Sequence, residues 1–291
     1  MVLTPRALLT GAALIAVAFL ALLGVAYGSP EVRWLDASAL QGFLGLQGPM
    51  VNPVAERLVA LGNPAEVGLI GAALALVAFA RGRPRTALFV LALLALTSLS
   101  SQALKVLLAY PRYEGKIAGS HIDPSAFPSG HATAAMALAI ALVVVMPPRL
   151  RSLSALVGAG IALGVSFSIV SLGWHLPSDV AGGFLLATAW ALVLLAVLRA
   201  ATEPLPEGGG RRRVTAVSRA VVDRLAAIGL TAVAATGVAA ATGLAAMVVF
   251  RWPDITGYAQ DHTAFVVVAA WLVLSASALL AGLKSTLAHA G

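Results

Sequence analysis

Long apolar runs recur along this chain, separated by prolines, glycines and charged residues. Eight of them approach or exceed the roughly 20 residues that an α-helix needs to cross a bilayer. They are 7–28, 64–80, 86–109, 131–147, 153–173, 179–198, 222–250 and 263–283. The runs are too long and too rich in Ala and Leu for barrel strands, which would alternate over about ten residues. The pattern predicts an all-α, polytopic membrane bundle of about eight transmembrane helices. The first run follows one arginine, and Ala26-Tyr27-Gly28 resembles a small-residue cleavage site. The run nevertheless exceeds the roughly 7–15 residues of a signal-peptide core, so it reads as a retained helix.

Composition supports the same class. Of 291 residues, 60% are hydrophobic and 11% charged, against about 25% charged in soluble domains. The absence of cysteine excludes disulfides, thiolate catalysis and Cys-based metal sites. A net charge of +7 does not point to nucleic acid, because the basic residues follow a membrane pattern. With a cytoplasmic N-terminus, the inner segments hold Arg6, Arg81, Arg83, Arg85, Arg149, Arg151, Arg199, Arg211, Arg212, Arg213, Arg219, Arg224 and Lys284, 13 of the 19 basic residues. The outer side holds Arg33, Arg57, Lys105, Arg112, Lys116 and Arg251. The positive-inside rule therefore predicts both termini in the cytoplasm.

Two segments break the run of spans. Residues 29–63 space Trp34, Leu35, Leu40, Phe43, Leu44, Val54, Leu58 and Leu61 among polar residues, as in a segment lying along the membrane interface. A lid over a site is the alternative. Residues 201–220 include a flexible stretch, Glu203 to Gly210, followed by three arginines. These arginines serve as a stop-transfer signal or bind anionic headgroups. The linker divides a six-helix core, 1–200, from a two-helix extension, 221–291. Gly160 and Gly164, four apart, predict close helix packing. Trp34, Trp174 and Trp252 suit interfacial anchoring, and Trp174 also stands where it would wall a site. Oligomeric state is not legible.

Against this apolar background a few polar residues converge on the predicted outer face. Pro128-Ser129-Gly130-His131 opens one helix, with Ser129 as a good N-cap. A helix N-terminus offers free N–H groups and a positive dipole end to a phosphate, and Gly130 permits close approach. His175, with Leu176-Pro177-Ser178-Asp179, opens another helix in the same way. Lys105 and Arg112 lie seven apart just upstream, with Pro111 predicted to end their helix. Two histidines, a carboxylate and two cations suit phosphoryl transfer. His175 would attack phosphorus, with Asp179 holding its other ring nitrogen. His131 would protonate the leaving oxygen. Lys105 and Arg112 would stabilise the equatorial oxygens, and Ser129 is either a cap or a phosphate contact. Glu114, Asp123 and Asp179 are too scattered for a magnesium site. His121, His262 and His289 read as ordinary loop or tail residues, and Ser168 as a packing residue.

These motifs resemble the type 2 phosphatidic acid phosphatase (PAP2) superfamily, which includes the vanadium haloperoxidases. The family pattern is K-x6-R-P, then P-S-G-H, then S-R-x5-H-x3-D. Lys105 and Arg112 match the first, with Tyr113 in place of its Pro. Pro128 to His131 match the second in full. Ser168, His175 and Asp179 match the third, with Ile169 in place of its Arg. The likeness covers roughly residues 60–200. It implies a six-helix core, a phosphohistidine on His175, His131 as general acid, no metal cofactor, and a lipid phosphate or diphosphate substrate reached from the bilayer. Polyprenyl diphosphate, phosphatidic acid and phosphatidylglycerol phosphate are the candidate substrates. In the family, the missing Arg binds phosphate oxygens. A positioned donor of that kind contributes about 2.7–4 kcal/mol to the transition state, so its loss predicts a roughly 10²–10³-fold slower enzyme unless Lys116 or Arg251 substitutes. A phosphotransferase with a non-water acceptor, or a lipid-phosphate-binding protein without turnover, are the alternatives.

Overall fold

In the computed structural model of the protein, residues 4–113, 117–200, 224 and 252–288 are described. The helices are α1 (Pro5–Gly28), α2 (Pro30–Leu44), α3 (Val51–Ala60), α4 (Pro64–Ala80), α5 (Pro84–Leu107), α6 (Gly130–Val145), α7 (Arg151–Ser171), α8 (Pro177–Ala200), α9 (Trp252–Asp261) and α10 (Thr263–Ala288). Prolines near the starts of α1, α2, α4 and α5 mark their entries, where a missing N–H costs nothing. The expected extension helix 222–250, the linker 201–220, Lys116 and Arg251 lie outside the described residues.

Among the described residues five helices are long and apolar enough to cross a membrane: α1, α5, α7, α8 and α10. A sixth span arises if α3 and α4, bent by 55° at their junction, count as one. The chain is thus an all-α, multi-pass membrane bundle. The segment 29–63, expected along the interface, forms two helices, α2 and α3.

α6 is the axis of the bundle. It packs against α4, α5, α7, α8 and α10, and most of its positions are buried, many of them alanines. Small side chains let the neighbours approach closely. At Gly183 on α8, an added Cβ would lie 2.9 Å from the Ser129 carbonyl and the Thr133 N–H, so α8 presses directly on the first turn of α6. On α7 the tightest approach is at Gly158, where a Cβ would lie 2.9 Å from Ala139. The expected pair Gly160 and Gly164 does not play this part: among the described residues, a Cβ added at Gly160 would meet no neighbouring element within 4 Å, and one at Gly164 would meet Leu58 at an ordinary 3.6 Å.

The two ends of the bundle differ in chemistry. At the end where α6 and α10 finish, arginines cap the helix carbonyls, as cations at C-termini do. Arg81 donates to the Val145 carbonyl. Arg83 reaches the same carbonyl at 3.1 Å. Arg151 and Arg199 reach Leu287 and Thr286 at 2.8 and 2.7 Å. The opposite end holds the start of α6, the start of α8 and the end of α5. With 16 residues, α6 is about 24 Å long, short of the roughly 30 Å hydrocarbon core.

α10 is not an appendage. It packs on α2, α6, α7 and α8, and Leu272, Ala276 and Leu280 on it are buried with the core.

Candidate active site

Ser129 caps α6: its hydroxyl accepts from the Ala132 N–H at 3.3 Å, and its carbonyl accepts from the Thr133 hydroxyl at 2.7 Å. Its own N–H donates to the Asp179 carbonyl at 3.0 Å. The two helix starts predicted from sequence are thus tied together by one backbone bond. Fully buried, Ser129 holds the turn that presents Gly130 and His131.

His175 and Asp179 are one helical turn apart across the start of α8. His175 Nδ1 lies 3.3 Å from Asp179 Oδ2, which also accepts from the Leu176 N–H at 2.9 Å. The other Asp179 oxygen accepts from Arg112 Nη2. Arg112 also donates from Nη1 to the Ser178 hydroxyl at 2.9 Å and lies over the Tyr27 ring, 5.1 Å from its centre. Helix α5 ends at Leu107, before Pro111, and the chain turns Arg112 back into the bundle, where it is 8% exposed. Burial disfavours its charge, but Asp179 and Asp36 outweigh that and hold its pKa above the ordinary arginine value.

His131 stands in the first turn of α6. Its Nε2 lies 3.3 Å from Asn63 Oδ1, and its ring centre is 6.1 Å from that of Trp174. His175 and Lys105 are close enough to act on His131 electrostatically. The Lys105 ammonium lies 3.9 Å from where a Cβ on Gly130 would sit, beside Ser101 Oγ at 3.8 Å and Gln102 Nε2 at 3.9 Å. Among the described residues, the buried Ser101 hydroxyl has no hydrogen-bond partner. A cation and two neutral polar groups thus gather at the N-terminus of α6.

A cavity of about 310 Å³ opens from this cluster. Gln102, Lys105, Gly130 and His131 line it together with Val67 and Leu94, between α4, α5 and α6, and His175 is not among its lining residues.

Sequence reasoning missed Asp36, Asn63, Ser101 and Gln102. Asp36, on α2, accepts from the Ser178 N–H at 3.0 Å and from the Ser178 hydroxyl, and its carboxylate lies 3.9 Å from Arg112. Burial pushes its pKa up to about 6, moderated by Ser178 and Arg112 and reinforced by Asp179. Ile169 is fully buried in the apolar core, and its carbonyl accepts from the Trp174 N–H at 3.0 Å. Among the described residues, no group of three or more His, Cys, Asp or Glu side chains is arranged to hold a metal ion.

Residues 86–203 match the sequence model of the PAP2 superfamily, a span containing all three motifs. Comparison with curated proteins finds no match. Among solved structures, the chain is similar to a transmembrane PAP2-type phosphatidylglycerolphosphate phosphatase from Bacillus subtilis, with 22% identity and a TM-score of 0.46. The alignment covers 64% of this chain and 94% of that one.

Proposed function

We propose that this multi-pass membrane protein, with its PAP2-type segment, is a lipid-phosphate phosphatase that works through a phosphohistidine and without a metal ion. One observation carries the reading: the His175–Asp179 pair at the start of α8 and the His131 and Lys105 side chains at the start of α6 lie at one end of the bundle, the two helix starts joined by the Ser129–Asp179 backbone bond. Asp179 engages Nδ1 of His175, which leaves Nε2 to present a lone pair to phosphorus. As the N–P bond forms, the ester P–O bond breaks and His131 gives its proton to the departing alkoxide. In the second half, His131 takes a proton from water, whose oxygen attacks phosphorus. The P–N bond breaks, and inorganic phosphate leaves with His175 neutral again. Lys105 and the free N–H groups of α6 stabilise the phosphoryl oxygens.

The cavity supports a lipid substrate: His131 and Lys105 line it beside Leu94 and Val67, a mixture that suits a phosphate whose chain stays in hydrocarbon. The arginine-rich end of the bundle is opposite the site, which under the positive-inside rule supports a site on the outer face. Polyprenyl diphosphate, phosphatidic acid and phosphatidylglycerol phosphate all fit this description.

The test is phosphate release by detergent-purified protein in EDTA from each of these lipids, beside His175→Ala. Release that vanishes in the variant supports the reading and ranks the substrates. The burial of Ile169, where the family carries a cation, favours one competing reading, a lipid-phosphate binder without turnover. Lipid phosphate bound by folded protein but never hydrolysed would establish that reading instead.

A further inference from the structure

Helix α2 and the C-terminal helix α10 lie outside the three motifs, yet both bear on the site. α2 is fastened to the site loop by two bonds. Arg33 Nη1 donates to the Arg112 carbonyl at 3.2 Å, and the Tyr113 hydroxyl donates to the Arg33 carbonyl at 2.8 Å. Tyr113 is the residue that stands where the family pattern has Pro, so this departure supplies the latch. On its other side α2 rests on the C-terminal helices. Phe43 packs edge-on against Phe265 with ring centres 4.8 Å apart, and the Tyr258 hydroxyl donates to the Gly42 carbonyl.

Held this way, α2 inserts one carboxylate into the polar cluster. Asp36 takes both the N–H and the hydroxyl of Ser178, at the first turn of α8. Its hydrogen bond fixes the Ser178 hydroxyl as an acceptor for Arg112 Nη1. The other arm of Arg112 holds Asp179, which holds His175. Each link is buried, where a bond is stiff and its loss is not repaired by water.

We infer that Asp36 is a positioning residue, which α2, latched by Tyr113 and backed by α10, delivers to the start of α8 to set Ser178, Arg112 and through them the His175–Asp179 pair. The C-terminal helices thereby serve the site rather than merely lengthening the chain. This inference rests on the phosphatase reading for its kinetic consequence, but not for its geometric one.

The experiment compares native protein with Asp36→Asn, Tyr113→Phe and a surface control, Ser125→Ala, in two assays. The first is lipid-phosphate turnover. Losing a bond to a charged group predicts a kcat roughly 10- to 150-fold lower in Asp36→Asn. KM should stay within about threefold, since Asp36 touches no substrate. Tyr113→Phe, which removes one neutral bond from the latch and retains the ring, should lower kcat by about 2- to 10-fold. The second assay is the rate at which diethyl pyrocarbonate modifies His175, read by peptide mass, which needs no substrate. That rate should change severalfold in Asp36→Asn and stay native in Ser125→Ala. If Asp36→Asn does not fold, Tyr113→Phe decides in both assays. Native kcat and native His175 reactivity in these variants overturn the inference. If native protein releases no phosphate, the phosphatase reading fails and the reactivity of His175 alone decides: a change supports the positioning role, and none overturns it.

Discussion

Arg112→Ala should be among the most destabilising single substitutions in the site, for a reason that can be worked from distances. The guanidinium bonds Asp179, donates to Ser178 at 2.9 Å and lies 3.9 Å from Asp36. Asp179 is fully buried and Asp36 is 5% exposed. Removing the arginine leaves two carboxylates in a low-dielectric interior without their shared cation. Breaking a buried pair by removing one partner costs about 3–5 kcal/mol, against about 0.5–1.5 kcal/mol for one neutral hydrogen bond. The cost belongs to the stranded charges, so it should shrink when one of them is neutralised. The double variant Arg112→Ala, Asp36→Asn should recover at least about 1 kcal/mol relative to additivity, because the sites are coupled. Equilibrium unfolding in detergent, followed by the fluorescence of the five tryptophans, measures both quantities. His175→Ala serves as a reference that removes activity without removing the cation. Native stability in Arg112→Ala, or strict additivity in the double variant, would refute the reasoning.

Other outcomes follow from the same geometry. Lys105→Met, at the start of α6, should lower kcat/KM by roughly 10²–10³-fold while leaving the unfolding midpoint nearly native; unchanged phosphate release contradicts its role. Gly183→Ala would push a methyl to 2.9 Å from the Ser129 carbonyl and the Thr133 N–H, so it should cost about 1–3 kcal/mol and reduce turnover together, as read by unfolding and phosphate release on one sample. Burial raises Asp36 from 3.8 to about 6, so between those values folded protein holds more of its proton than unfolded protein does. Stability from this group is therefore present at the acid end and is lost as pH rises to about 6, by on the order of 3 kcal/mol. Arg112, Asp179 and Tyr113 are the charged or titratable groups acting with it. The native stability curve should fall more steeply over that window than the Asp36→Asn curve, and parallel curves contradict the assignment.

The helices of the core were legible because a membrane span must satisfy its backbone internally and clothe it in apolar side chains, which leaves runs such as 86–109 and 179–198 with no other use. The chemistry was legible for the complementary reason: ionisable residues are costly there, so Lys105, His131, His175 and Asp179 stood out. Asp36 did not, because an acid on a short amphipathic helix is ordinarily solvated, and only the docking of α2 beneath Tyr113 and against Phe265 buries it. Arg112 was found, but not its pairing with Asp179, Ser178 and Asp36, because the chain after Leu107 turns in a way that residue spacing does not fix. Gly158 was missed for Gly160 and Gly164 because a four-residue spacing carries no information on which neighbour it faces. The role of α10 was illegible because its contacts with α2 lie more than 200 residues away in sequence, as with Phe43 and Phe265.

The central claim is that phosphorus passes through His175. Protein mixed with radiolabelled lipid phosphate, quenched in base within the first turnover and digested, should yield a labelled peptide containing His175 whose label is stable to base and lost in acid, as a phosphoramidate is. Label should be absent from His175→Ala. Rapid release of phosphate with no label on His175, or an equal burst from His175→Ala, would contradict the account.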